Sequence, residues 1–132
     1  MKFISPKVHG VLDYAVAIVL IGAPLFLRFS DVSVAAAVIA VCAGIGLVGY
    51  SLLTDYSAGL RAVIPFRLHL VFDASAAVAF LVAPFVLGFA GTVRAFYLVI
   101  GIAVLVVVAC TRVQEDSDRR EVPLPSAATT VS

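Results

Sequence analysis

Lys7-Val8-His9-Gly10-Val11-Leu12-Asp13 and Arg67-Leu68-His69-Leu70-Val71-Phe72-Asp73 are two versions of one segment, sixty positions apart. Each is followed, at the same distance, by an Ala-Pro pair: Ala23-Pro24 with Leu27 and Phe29, then Ala83-Pro84 with Leu87 and Phe89. His9, Asp13, His69 and Asp73 interrupt apolar runs; the other charged groups stand at or beyond the run ends. Four such runs cover approximately 8–29, 32–54, 67–89 and 93–111. Each is long enough for a hydrocarbon core of about 30 Å, which takes roughly 20 helical residues to cross.

Composition agrees. Of 132 residues, 63% are hydrophobic and 13% charged, with a mean hydropathy of +1.16. A soluble domain carries roughly a quarter charged residues and needs a large polar surface. The reading is an integral membrane protein, all-α, with the lipid bilayer as its first partner. A net charge of +1 and the lack of a basic patch give no reason to expect nucleic acid. Lys2 and Lys7 ahead of the first run raise the question of a cleaved signal peptide. Its duplication at 67–89 and its length, beyond the usual 7–15 apolar residues, argue against one.

The repeat is two helices long. Residues 1–60 form a first helical-hairpin repeat, 61–112 a second, and 113–132 a cytoplasmic tail. An even number of helices per repeat leaves both copies in one orientation, related by an axis along the membrane normal. The short connections Ser30-Asp31-Val32-Ser33 and Ala90-Gly91-Thr92 force antiparallel neighbours. Lys2, Lys7, Arg61, Arg67, Arg112, Arg119 and Arg120 fall on one side, Arg28 and Arg94 on the other. Basic residues favour the cytoplasm, which places both termini there. Pro24 and Pro84 each remove a backbone donor, so a kink or an early helix end is expected at both.

Tyr56, Leu60, Ile64 and Phe66 in the 54–66 connection can dip into the headgroup region. Past Thr111 the fourth helix is expected to extend into water, with Glu115–Arg119 and Asp116–Arg120 pairs, and disorder to begin near 122. Cys42 and Cys110 read as small buried apolar residues, not as a disulfide or metal pair. Ala36, Ala40 and Gly44, like Ser75, Ala79 and Ala83, have the spacing of four that lets helices approach closely in lipid. Gly44-x-Gly46-x-x-Gly49 matches a dinucleotide fingerprint only formally, because no strand precedes it.

The residues able to carry chemistry are His9, Asp13, His69 and Asp73. Four residues apart, each His and Asp share a helix face. A carboxylate exposed to lipid would cost up to about 3 kcal/mol, so both should point into the bundle. A position in the first helical turn would help hold the negative charge. Three readings follow. Each Asp accepts bonds from its own His, from Tyr14 or Tyr56, or from neighbouring backbone, fixing helix register. Alternatively the four side chains converge on the pseudo-twofold axis as a metal site. In the third, they relay protons or bind an ion, which would require a polar cavity reaching the Asp pair. Haem ligation would need both rings to meet across the bundle. No cofactor is expected.

Ser5-Pro6-Lys7-Val8-His9-Gly10-Val11-Leu12-Asp13-Tyr14, Thr54-Asp55-Tyr56-Ser57-Ala58-Gly59-Leu60 and Ile64-Pro65-Phe66-Arg67-Leu68-His69 resemble the small bacterial membrane proteins with SPW repeats. The corresponding Ser-Pro-Trp segments look like Ala23-Pro24-Leu25-Phe26-Leu27-Arg28-Phe29 and Ala83-Pro84-Phe85-Val86-Leu87-Gly88-Phe89. Tryptophan is absent, alanine stands for serine, and the resemblance covers about residues 5–111. It implies a four-helix bundle in the bacterial inner membrane and supplies no catalytic residues. The expected role is structural or accessory, without catalysis, as a homo-oligomer or with a membrane protein partner. The alternative is an ion, proton or metal-handling protein using the two His-x3-Asp pairs.

Overall fold

The computed structural model describes residues 2–56 and 59–113. It contains four long helices: α1 Pro6–Phe26, α2 Val34–Leu52, α3 Phe66–Val86 and α4 Gly91–Cys110. All four are long and apolar enough to cross a membrane, which makes this a multi-pass membrane protein. A single 3₁₀ turn, Phe29–Asp31, bridges α1 and α2. No strand forms among the described residues.

Local chemistry sets the helix boundaries. Ser5 caps α1 by accepting from Val8 N, with Pro6 at the first helical position, where a missing N–H costs nothing. Ser33 caps α2 through Ala36 N. Pro24 and Pro84 are buried inside α1 and α3, and each helix ends two residues later. Arg28 (φ 52°) and Gly88 (φ 71°) then turn the chain at equivalent positions in the left-handed region. Glycine fits that conformation without penalty.

α1 packs along α2, and α3 along α4. Both crossings are built the same way. A methyl group placed on Gly44 would lie 3.0 Å from Ala17 O and 2.7 Å from Ile21 Cγ1. One placed on Gly101 would lie 3.0 Å from Ala77 O and 2.7 Å from Leu81 Cγ. Backbones this close gain dispersion contacts that lipid cannot match. The Ala36, Ala40 and Gly44 stripe is thus buried inside the chain, while Ser75 and Ala79 face outward.

The open ends of both hairpins lie together, as the repeat predicts. Ile4 pairs with the end of α4 (Ile4 N to Cys110 O 2.9 Å, Arg112 N to Ile4 O 2.8 Å). Ile64 pairs likewise with the end of α2 (Ile64 N to Leu53 O 2.8 Å, Asp55 N to Ile64 O 2.9 Å). At the opposite, hairpin end, Phe29, Phe89 and Tyr97 form a buried aromatic plug. Tyr97 stacks on Phe80 with ring centroids 4.7 Å apart and donates to Ala36 O at 2.7 Å, joining α4 to α2.

Two sequence expectations change. α4 stops at Cys110, with Thr111 extended; residues 114–132, including the Glu115–Arg119 and Asp116–Arg120 pairs, lie outside the described residues. Cys42 is not buried but exposed on the outer face of α2, and Cys110 is half-buried; both are free thiols. The Gly-x-Gly-x-x-Gly run separates by use: Gly44 is pressed against α1, whereas Gly46 and Gly49 have open space.

Candidate functional site: a His–Asp cluster between the repeats

Helical periodicity brings His9 and Asp13 to one face of α1, and the repeat does the same for His69 and Asp73 on α3. The two faces meet. All four side chains are buried, the histidines at 1% and 0% exposure. His9 Nε2 lies 2.9 Å from Asp73 Oδ2, and His69 Nε2 lies 3.0 Å from Asp13 Oδ2. The contacts within each helix are longer, at 3.3 Å for His9–Asp13 and 3.2 Å for His69–Asp73. Each histidine therefore serves the aspartate of the other repeat first. The expectation that each Asp bonds its own His captures only the weaker half.

Asp13 and Asp73 are each the eighth residue of their helix, and neither helix has an acid in its first turn. Support from the helix N-terminus fades within the first turn. The compensation comes instead from the facing imidazole.

Two threonines, unremarked in the sequence, orient the rings. Thr54, at the end of α2, donates from Oγ1 to Tyr50 O at 2.6 Å and lies 2.7 Å from His69 Nδ1. Thr111, at the end of α4, donates to Val107 O at 2.6 Å and lies 2.8 Å from His9 Nδ1. A hydroxyl has one proton to give. With that proton on the carbonyl, each ring contact must be donated by Nδ1–H. This fixes both Nε2 atoms as the ones facing the carboxylates. Each Nε2 then needs one proton between it and the carboxylates, on the ring or on the acid. Two such protons leave the cluster with no net charge, which is the state that burial favours.

The remaining carboxylate capacity is filled by phenols. Tyr50 donates to Asp73 Oδ1 at 2.6 Å, and Tyr56 to Asp13 Oδ2 at 3.1 Å. Tyr56 was expected here; Tyr50 was not. Burial of the Tyr56 phenol raises its pKa above the usual value, with the nearby Ser51 hydroxyl acting against that and Asp13 reinforcing it. It consequently keeps its proton and remains a donor. Phe66, the first residue of α3, covers the pair edge-on to His9 (5.5 Å) and stacked near His69 (6.1 Å).

Beneath the cluster, a cavity of about 50 Å³ lies between the hairpins, with His9, Asp13, Asp73 and Tyr50 at one end and Leu20 and Phe80 at the other. A water requires roughly 10–15 Å³ of such space, so about three to five fit. The cavity does reach the Asp pair. Its further walls are apolar, and the Phe29–Phe89–Tyr97 plug fills the bundle beyond them.

The two histidine rings meet, with centroids 5.5 Å apart, as haem ligation would require. The rings already touch edge to face, however, which leaves no room for a porphyrin between them.

The family model described as SPW repeat domain matches residues 7–118. No curated protein and no solved structure matches the chain. The chain belongs to the SPW repeat family.

Proposed function

We propose that this SPW-repeat chain is a non-catalytic accessory protein of the bacterial inner membrane, with the His–Asp cluster as the clasp that locks its two hairpins together. One observation carries the reading: the four ionisable side chains saturate one another across the repeat boundary. Nε2 of each histidine faces both carboxylates, Nδ1 is held by threonine, and tyrosine hydroxyls donate to Asp73 Oδ1 and Asp13 Oδ2. No nucleophile stands beside a free base in this arrangement. Breaking one half of such a buried set leaves the other half unpaired, which costs about 3–5 kcal/mol.

The test is thermal unfolding in mild detergent with chelator present. His9→Ala/His69→Ala should melt well below the native chain, and hydrogen exchange should quicken first at the ends of α2 and α4. Equal melting temperatures would remove the clasp. The basic-residue bias supports cytoplasmic termini, so an Asp31→Cys chain lacking its native cysteines should react with an impermeant maleimide from outside. Labelling of Asp55→Cys instead would reverse the orientation. Ser75 and Ala79, exposed on α3, are the small residues left for a second copy or another membrane protein.

A further inference from the structure

We infer that the His9–Asp13–His69–Asp73 cluster is a binding site for one divalent transition-metal ion of the Zn²⁺ class, which takes the place of the two protons shared there. The argument is geometric and goes beyond the clasp. The four residues each offer one ligand atom, and these atoms all lie within 4.8 Å of one another. The nitrogen–oxygen contacts are 2.9, 3.0, 3.2 and 3.3 Å, with Asp73 using one oxygen for both histidines and Asp13 using one for each. A tetrahedron with metal–ligand bonds of about 2.0–2.1 Å has edges of roughly 3.3–3.4 Å. The close nitrogen–oxygen pairs need to part by a few tenths of an ångström, while the widest-set ligand atoms, up to 4.8 Å apart, must draw together by rotation of the carboxylates and rings.

Charge points the same way. Two neutral imidazoles and two carboxylates sum to −2, and a divalent cation restores neutrality as the two protons do. When the cation enters, the two protons leave, and the balance is one M²⁺ for two H⁺. Imidazole with carboxylate is a donor set that suits Zn²⁺ and its first-row neighbours.

The second observation is the set of residues behind the ligands. A metal-bound histidine almost always donates its other N–H to an oxygen, which fixes the ring and the free lone pair. Thr54 and Thr111 supply that acceptor at 2.7 and 2.8 Å, aiming both Nε2 atoms inward. Tyr50 and Tyr56 hold the carboxylates in turn. The site is thus oriented before any ion arrives, and the cavity on its inner side touches three of the four ligands.

The experiment uses the full chain, untagged, stripped with chelator and held in mild detergent, with Co²⁺ as the probe. One equivalent should bind and give the strong visible absorption of four-coordinate Co²⁺, and Zn²⁺ should displace it. His9→Ala should weaken binding more than 100-fold. Because that variant also loosens the clasp, Tyr50→Phe provides the second arm. It keeps all four ligands and should lower Co²⁺ affinity about 10- to 100-fold with the helical circular dichroism unchanged. A folded native chain that binds no Co²⁺, a faint six-coordinate spectrum, or unchanged affinity in Tyr50→Phe would each overturn the site. The clasp is read separately, from melting without metal. No Co²⁺ binding with a destabilised His9→Ala/His69→Ala would leave the clasp and remove the metal. Binding together with unaltered melting of that variant would do the reverse.

Discussion

Thr54 and Thr111 use one hydroxyl for two purposes: each satisfies a late carbonyl of its own helix and accepts the Nδ1–H of a histidine from a neighbouring one. Both are buried at 1% exposure, so neither ring nitrogen has water to turn to. Thr54→Val keeps the shape and removes the acceptor. It should cost about 1–3 kcal/mol, the usual penalty for a buried donor left without a partner. Thr54→Ser restores the oxygen and should recover most of the loss. Thermal melting of the two variants in detergent checks this, and equal melting of Thr54→Val and native protein would show that Nδ1 is not the donor. The arrangement also explains why a His–Asp pair survives in this apolar setting. Each imidazole is held at both nitrogens, so the energetic cost of burial is offset on every side.

At the scale of helices, the two crossings at Gly44 and Gly101 are the same joint made twice. A Cβ at either would press on a helix carbonyl 3.0 Å away, and backbone cannot rotate aside as a side chain can. Gly44→Ala or Gly101→Ala should therefore destabilise by about 1–3 kcal/mol, the common cost of overpacking. Gly46→Ala and Gly49→Ala meet nothing within 4 Å and should be neutral or slightly stabilising, since alanine favours helix. Melting of the four single variants separates the two classes; similar losses at all four would mean that the crossings do not depend on close approach. These glycines also show what was legible beforehand. The four spans, their hairpin pairing and the ionisable quartet follow from hydropathy and from the offset of sixty between α1 and α3. The partners on α2 and α4 were hidden because those helices repeat at fifty-seven: Gly44 with Gly101, Thr54 with Thr111 and the caps Ser33 with Ala90. The first connection is three residues longer, which shifts the register. Aligned at sixty, Thr54 falls opposite Gln114 and the paired threonines disappear. Tyr50 escaped for another reason: its counterpart, Val107, has no hydroxyl, so symmetry gave no warning.

Across the whole molecule, two separate fastenings hold the hairpins together. The His–Asp cluster closes the end bearing both termini, and Tyr97, Phe29 and Phe89 close the other. Between them lies the cavity, lined from all four helices, where the backbones of the two hairpins make few close approaches. Tyr97 in α4 and Thr111 just past its end are separated by fourteen residues, roughly 21 Å at 1.5 Å per residue. Energetic effects at sites this far apart, without shared partners, add to within about 0.5 kcal/mol. Tyr97→Phe removes a hydrogen bond to Ala36 O while leaving the ring stack in place, and should cost about 1 kcal/mol. Thr111→Val removes the acceptor of His9 Nδ1–H together with the hydroxyl's own bond to Val107 O, both at the cluster end. The double variant should lose the sum of the two single losses, measured by denaturant or thermal unfolding under one detergent condition. Hydrogen exchange should place the Tyr97→Phe effect near Val93–Gly101 and the Thr111→Val effect near the other end of the same helix. An interaction energy above about 1 kcal/mol would mean that the two ends report to one another through the bundle. In that case the cavity would belong to a single cooperative unit, and an ion entering the cluster would be felt at the aromatic plug.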